Sequence, residues 1–409
     1  MTFSVIADDL TGASDAGVQL VRAGYRSAVA FWGTAPLNSD GLDAVAFDTD
    51  SRTLAPSHAA ERVTQVGQEA AKATYMFKKL DSTLRGPVAA ELAAAFSVSG
   101  RERVVLAPAF PQVGRTTVSG VQLLHGVPIH QTELARDPLS PVRESHLPTL
   151  VHSEFDSVAV LSASELVQAE AVWQALQTAY VVIADAQSED DLLTLVQMVP
   201  HPERILWAGS AGLADALSRT LTKSVPLAVP STPHPGKRVR VLAVVGSVST
   251  TSREQLAYLV AAEGAERIVL QPLGLSPEEV EAEVTRVVSQ AGKALEREQT
   301  VALTTPATAP EGANLNIYAR VLVTAMADAV ARLSSLGLFD ALVMTGGDTA
   351  VHIARALAAQ GVFLKREIEP GIPLGVFIGA SPYPVVTKAG AFGSHAALKA
   401  AVDALTQEV

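Results

Sequence analysis

The sequence holds no cysteine, which excludes disulfides, thiolate catalysis and cysteine-ligated metals. It is short of positive charge: 31 Lys and Arg stand against 42 Asp and Glu, a formal net charge of −11. A general nucleic-acid binder needs a basic face, so no nucleic-acid partner is expected. A few local cations can still hold a small anion. No apolar stretch reaches the ~18 residues of a membrane span, and no membrane partner is expected. The first residues enter a strand pattern at once, without the basic region and apolar run of a signal segment. A cytoplasmic protein is the expectation. Two phosphate-binding fingerprints are missing as well. There is no Gly-x-x-x-x-Gly-Lys-Ser/Thr, and no Gly-x-Gly-x-x-Gly follows a strand.

The residues that are present describe a globular chain, 48% hydrophobic and 18% charged. At 409 residues it is long for one core, so two domains are expected. Strand and helix patterns alternate throughout, the signature of βα units. The fold class is therefore α/β, with two domains that are each a largely parallel sheet flanked by helices. Residues 224–238 interrupt the rhythm with a proline-rich run that suits neither a regular helix nor a central strand. That segment is expected to link an N-terminal domain, 1–223, to a C-terminal domain, 239–409.

In the first ~115 residues the apolar runs end in polar clusters. Phe3–Ala7 ends in Asp8-Asp9-Leu10-Thr11-Gly12, and Ala44–Phe47 ends in Asp48-Thr49-Asp50-Ser51-Arg52. Tyr75–Phe77 ends in Lys78-Lys79-Leu80-Asp81-Ser82-Thr83-Leu84-Arg85-Gly86, and Val104–Ala107 leads to Gly114-Arg115-Thr116-Thr117. Ligands of open parallel sheets bind outside the carboxyl ends of the strands, so these clusters should line one crevice. A carboxylate only accepts hydrogen bonds, which suits it to grip hydroxyls, and one carboxylate can take the proton of an attacking hydroxyl. Asp8 or Asp9 could do this; Asp9 could equally cap the following helix. Arg52, Lys79, Arg85 and Arg115 supply the opposite charge, and arginine binds a carboxylate or phosphate through two parallel hydrogen bonds. Asp81 with Arg85 could also be a purely structural ion pair. The ligand suggested is a small molecule carrying hydroxyls and an anionic group, such as a sugar acid. His125 and His130 lack metal-site spacing and read as solvated or hydrogen-bonded.

The second half carries three glycine turns after apolar runs: Gly246-Ser247-Val248-Ser249, Thr345-Gly346-Gly347-Asp348-Thr349-Ala350 and Gly390-Ala391-Phe392-Gly393. Turns of this kind bare their N–H groups, and a helix start adds partial positive charge, a combination suited to phosphate. Three such turns suggest a nucleotide. Asp348 could hold Mg2+ directly or through water, since Mg2+ prefers oxygen ligands and phosphates; it could also cap a helix.

Taken together and in order, Ile6–Ala13, Lys78–Gly86, Pro108-Ala109-Phe110-Pro111 with Gly114–Thr117, Gly246–Ser249 and Thr345–Thr349 resemble the four-carbon acid sugar kinase family. The resemblance runs from residue 2 to about 403. It implies a sugar-acid-binding N-terminal domain, an ATP-binding C-terminal domain, and transfer of the γ-phosphoryl group to the terminal hydroxyl. The stretch Lys79–Gly86 is more similar to the D-threonate kinase branch; D-erythronate and 3-oxo-tetronate remain as substrates. Carried over by motif, Asp8, Asp9, Arg52, Lys79, Leu80, Asp81, Ser82 and Thr83 would contact substrate. Ser247 or Ser249, Gly346, Gly347, Asp348, Thr349 and Gly393 would contact ATP. ATP and Mg2+ are the implied cofactors. A non-catalytic nucleotide-responsive binding protein and a hydroxy-acid oxidoreductase are the competing readings. A homodimer would need an exposed apolar helix face, which the sequence does not assign.

Overall fold

Buried five-residue strands and capped helices alternate in a computed structural model that describes residues 1–137, 140–221, 239–272, 274–297, 300–310 and 314–408. The proline-rich segment at 224–238 lies outside the described residues. The described chain divides into two units, one from residues 1–32 and 38–221, the other from 33–37 and 239–408.

The first unit runs β1 (Phe3–Ala7), α1 (Leu10–Arg22), β2 (Ser27–Ala30), β3 (Ala44–Asp48), α2 (Pro56–Ala70), β4 (Tyr75–Lys79), α3 (Val88–Ser99) and β5 (Arg103–Ala107). A small antiparallel sheet of β6 (Arg115–Val118), β7 (Val121–Leu124) and β8 (Val127–Pro128) follows. Then come α4 (Leu147–Val151), β9 (Val158–Leu161), α5 (Ala163–Leu166), α6 (Ala169–Thr178), β10 (Val181–Ala184), α7 (Glu189–Met198), β11 (Ile205–Gly209) and α8 (Ala211–Thr220). The main strands pair in parallel in the order β2-β3-β1-β4-β11-β5-β10-β9.

Strands buried on both faces read as continuous apolar runs, and β1 is such a strand, with all five residues buried. Thr11 and Ser14 are also residue types that can cap a helix start, but the first helix begins before both. It starts at Leu10 because Asp9 caps it, accepting a hydrogen bond from the Gly12 N–H. From β1 the chain turns back through α1 to β2; from β4 it leads through α3 toward β5, the opposite direction in the strand order. The β1/β4 junction is therefore a topological switch point, where open α/β sheets form their binding crevice.

The second unit runs β12 (Val241–Val245), α9 (Thr250–Glu263), β13 (Glu266–Val269), α10 (Pro277–Glu296), β14 (Val301–Thr304), α11 (Leu315–Ser335), β15 (Ala341–Thr345) and α12 (Gly347–Ala356). It ends with β16 (Ala359–Glu369), β17 (Ile372–Gly379), β18 (Pro384–Lys388) and α13 (Ala397–Glu408). Ser276 and Glu279 form a capping box, with Pro277 in the first turn of α10. The strand order is β13-β14-β12-β15-β18-β17-β16, parallel from β13 to β18. After β12 the chain heads toward β13; after β15 it heads the other way, so the switch point lies between β12 and β15.

The tail departs from the sequence reading. There β16 has 11 residues and forms an antiparallel hairpin with β17, closed at Pro370-Gly371, unlike the alternation of strands and helices elsewhere. Each unit has its own apolar core. Ile6, Met76, Leu92, Leu106 and Leu206 lie in the first, and Val241, Val343, Leu374, Val386 and Leu398 in the second.

Candidate active site

In the first unit the carboxyl ends of β1, β3 and β4 converge, since Ala7 is in register with both Asp48 and Lys79. Arg52 sits at the centre. Its Nε and Nη2 donate to the two oxygens of Asp8 at 2.6 and 3.0 Å, and its Nη1 donates to Asp9 Oδ2 at 2.7 Å. Asp9 Oδ1 accepts the Gly12 N–H at 2.8 Å. A methyl group on Gly12 would lie 2.7 Å from Asp9 Oδ1 and 3.4 Å from Lys79 Nζ, so the lysine stands beside this helix start. Lys79 Nζ itself donates to the Leu80 carbonyl at 3.0 Å.

The two neighbouring carboxyls are driven apart. Burial pushes Asp8 up, but the Arg52 charge and its hydrogen bonds, with Lys78 behind, outweigh it and the net shift is down. Burial also pushes Asp9 up; Arg52 opposes this, the Asp8 charge adds to it, and the net shift is up. The Asp8 carboxyl is thus held below the usual carboxylate range and the Asp9 carboxyl above it. Paired groups whose environments separate them in this way are the usual mark of an acid–base assignment.

The remaining residues expected from sequence fall around this centre. Asp81 accepts Thr83 Oγ1 at 2.7 Å and pairs with Arg85. Burial raises Asp81, but the charges of Arg52 and Arg85 hold it well below the usual carboxylate range. The structural ion pair allowed from sequence is therefore present. Ser82 is half-buried, and its carbonyl accepts Gln122 Nε2 at 2.8 Å. Leu80 belongs to the core: its side chain is buried and its N–H donates to the Gly209 carbonyl at 2.7 Å. Arg115 has a buried Nε without a partner among the described residues, and burial lowers its guanidinium. His130 Nδ1 is 2.7 Å from Ser145 Oγ.

In the second unit the three glycine turns meet at adjacent strand ends, Val245 being in register with Thr345 and Thr345 with Lys388. Gly346 caps α12 at φ +93°, a conformation that L side chains rarely adopt. Gly347, Asp348 and Thr349 form the first turn of that helix, whose leading N–H groups favour an anion. Asp348 is exposed and follows the cap, so the capping role considered for it belongs to Gly346. At Gly390 a methyl group would lie 2.1 Å from Ser247 Oγ, so only glycine lets these two turns touch.

The 389–394 turn is held from behind. The Gly390 carbonyl accepts Ser249 Oγ at 2.7 Å, Ser252 Oγ at 2.8 Å and Lys388 Nζ at 3.1 Å. Gln255 Nε2 lies within hydrogen-bonding distance of the Phe392, Gly393 and Ser394 carbonyls. With these carbonyls tied inward, the turn suits a phosphate-bearing ligand. No group of three or more His, Asp or Glu side chains that could hold a metal occurs among the described residues. An Mg2+ ion carried by nucleotide phosphates needs only one or two carboxylates and keeps several waters, and the exposed Asp348 fits that role.

Sequence reading missed Lys388, Ser252 and Gln255, which support a turn without lining it. Lys388 had one visible signal, a cation ending the apolar strand Pro384-Val385-Val386-Thr387. Glu91 was missed too, although an acid inside Val88-Ala89-Ala90-Glu91-Leu92-Ala93 is conspicuous.

Known proteins resemble this chain over both halves. Residues 3–217 match a family described as "Sugar-binding N-terminal domain" and residues 242–398 one described as "Nucleotide-binding C-terminal domain". The chain is 34% identical to a D-threonate kinase of Bordetella bronchiseptica, over 98% of this chain and 97% of that one. It is 32% identical to a D-threonate kinase of Salmonella typhimurium, over 97% of each. A D-erythronate kinase of Heliobacterium modesticaldum is 30% identical over 99% and 97% of the two chains. A crystal structure from Salmonella typhimurium shares the fold with a TM-score of 0.79, at 24% identity and 98% coverage of both chains. A Bordetella bronchiseptica structure, solved with bound citrate as a domain-swapped dimer, is 32% identical with a TM-score of 0.50, covering 100% of this chain and 99% of that one.

Proposed function

Because this chain belongs to the four-carbon acid sugar kinase family, we propose that it phosphorylates the terminal hydroxyl of D-threonate with ATP, giving 4-phospho-D-threonate and ADP. The observation that carries the reading is the Asp8–Arg52–Asp9 constellation at the β1/β4 switch point, where one carboxyl is pinned and its neighbour is left the better base.

In this reading Asp9 Oδ2 takes the proton of the acceptor hydroxyl. The hydroxyl oxygen forms the new bond to the γ-phosphorus, the bond from that phosphorus to the β–γ bridging oxygen breaks, and ADP leaves. Such transfer is mostly positioning and charge neutralisation. Arg115, with its unpartnered Nε, and Lys79 are the cations for the substrate carboxylate. Ser82 and Thr83 offer hydroxyls for the sugar chain. Ser247, Ser249, Gly346–Thr349 and Gly393 frame the nucleotide phosphates, which fits the glycine approaches and the open helix start of α12. Mg2+, when bound with ATP, neutralises phosphate charge, and Asp348 is the residue we assign to it.

D-Erythronate is the second reading, favoured by the 30% identical D-erythronate kinase. ADP release measured with D-threonate, D-erythronate, L-threonate and 3-oxo-tetronate decides between them. Turnover with D-threonate is expected to dominate, and no ADP release with any of the four would overturn the kinase reading in favour of a nucleotide-responsive binding protein. The domain-swapped dimer of the Bordetella relative supports a homodimer here, which sedimentation equilibrium tests. No described helix is long and apolar enough to cross a membrane, and an ATP-consuming reaction suits the cytoplasm.

A further inference from the structure

Beneath the Asp8–Arg52–Asp9 cluster lies a second charged group that no step of the proposed reaction uses. Lys78 of β4 and Glu91 of α3 pair at 2.8 Å, with side chains 0% and 2% exposed. Glu91 Oε1 accepts Ser51 Oγ at 2.6 Å. Ser51 Oγ is 2.6 Å from Thr49 Oγ1, which donates to the Ala7 carbonyl at 2.8 Å. A fully buried ion pair is a poor source of stability, since well-packed apolar residues of similar volume serve as well or better. The presence of this one calls for another reason.

The reason lies in the 49–52 loop. Asp50 adopts φ +47°, a left-handed conformation that aspartate enters only occasionally, and the loop is held in it from several sides. Ser51 and Arg52 donate their N–H groups to the Asp8 carbonyl at 2.9 and 3.2 Å. Arg62 Nη1 reaches the Thr49 carbonyl at 3.0 Å, and Ser140 Oγ the Arg52 carbonyl at 3.2 Å. Of these supports, Ser51 Oγ on Glu91 alone ties the loop to a buried charge pair spanning β4 and α3. Both partners of that pair sit on rigid elements that also frame the crevice.

We propose that Lys78, Glu91 and Ser51 form a buried strut whose task is to fix the 49–52 loop, and through it the guanidinium of Arg52 between Asp8 and Asp9. They are positioning residues. The proposal rests on the sugar-acid reading of the crevice for its kinetic consequence, but its geometric content stands apart from any substrate.

Two variants test it. Ser51→Ala removes only the hydroxyl link. Lys78→Met with Glu91→Leu replaces the pair by apolar side chains of similar volume, so the thermal midpoint is expected to hold. For each, kcat/KM for the sugar acid is expected to fall about 10–100-fold, as small misplacements of a positioning group can do, while the KM for ATP stays at the wild-type value. In parallel, the Arg52 Nε–H resonance, identified by its loss in Arg52→Lys, is followed by NMR without substrate. It is expected to be slowly exchanging and sharp in the wild type and broadened or lost in both variants. Unchanged sugar-acid kinetics or an unchanged Arg52 resonance in Ser51→Ala would overturn the strut. If the double variant fails to fold, Ser51→Ala decides alone. If the wild-type protein turns over no sugar acid, the substrate reading fails and the NMR arm still decides this one.

Discussion

The two strand-end crevices solve binding by opposite means. The first is built from side chains: the carboxyls of Asp8, Asp9, Asp48, Asp50 and Asp81, the lysines Lys78 and Lys79 and the arginines Arg52, Arg85 and Arg115 crowd the ends of β1, β3 and β4 and the loops beside them. The second is built from glycine turns and a helix start, and the only buried charge near them among the described residues, Lys388, points at carbonyls of the turn. A small chiral acid must be told from its isomers, which takes charged and hydroxyl-bearing groups at fixed places. A polyphosphate needs many equivalent donors, which a bare backbone supplies. Damage to one crevice is therefore expected to register in the kinetics of one substrate only.

The largest effect is expected from Asp9→Asn. Removal of a general base lowers kcat by about 10²–10⁴, and asparagine caps helices as well as aspartate does, so the thermal midpoint should hold. The pH profile of the residual activity sharpens the assignment. Asp9 is raised above the ordinary carboxylate value by burial and by the Asp8 charge, so the wild-type acid limb should lie above that value and vanish in the variant. Asp8→Asn should lose less, because it removes the partner of Arg52 and not the proton acceptor. Equal losses in the two variants would break the division of labour.

Next comes Gly346→Ala. A side chain forced into such a conformation costs about 1–3 kcal/mol, so the KM for ATP should rise about tenfold or more while the KM for the sugar acid stays put. A matching rise in both constants would erase the contrast between the crevices.

A smaller effect concerns Lys388, lowered by burial to about 8. Above that pH the ammonium loses its charge and part of its grip on the Ala389 and Gly390 carbonyls. ADP affinity, read by calorimetry, should therefore weaken as pH rises through about 8, and Lys388→Arg should flatten the profile. Unfolding does not mimic this. A lysine depressed in the folded state costs stability while charged, and that cost fades as pH rises from about 8 toward the ordinary 10.5.

The smallest effect is a gain. Asp48 is buried, its Oδ2 has no partner among the described residues, and burial with the charges of Asp50, Asp9 and Asp8 raises it well above 3.8. Such a group leaves stability intact below the unfolded value of 3.8 and erodes it as pH climbs toward the folded value. Asp48→Asn should therefore raise the thermal midpoint at neutral pH and leave it unchanged near pH 3. A lower midpoint at neutral pH would mean that the ionised form is the one the fold holds.

What could be read in the sequence follows the same contrast. Continuous apolar runs such as Val241–Val245 announce buried parallel strands, and Ser276-Pro277-Glu278-Glu279 announces a helix start, because both signals are local. The polar clusters after β1, β3 and β4 pointed to the crevice for the same reason. Glu91 and Gln255 were not legible as supports, since their partners, Ser51 and the 392–394 carbonyls, lie 40 and about 140 residues away. Leu80 was carried over with its neighbours in the motif, but just past the end of β4 its side chain packs into the core of the first unit. The length of the 11-residue β16 is hidden locally, because Lys365, Arg366 and Glu367 break its apolar pattern.

Asp9 holds the start of α1 with one oxygen and faces Arg52 with the other. A carboxyl anchored in this way cannot swivel to meet whatever hydroxyl arrives. In the reaction proposed above, only an alcohol brought to Oδ2 along one line of approach would surrender its hydrogen, and a mirror-related carbon skeleton would deliver the same group off that line. Handedness would then be discriminated where the proton is lost, before any phosphorus–oxygen bond begins to form.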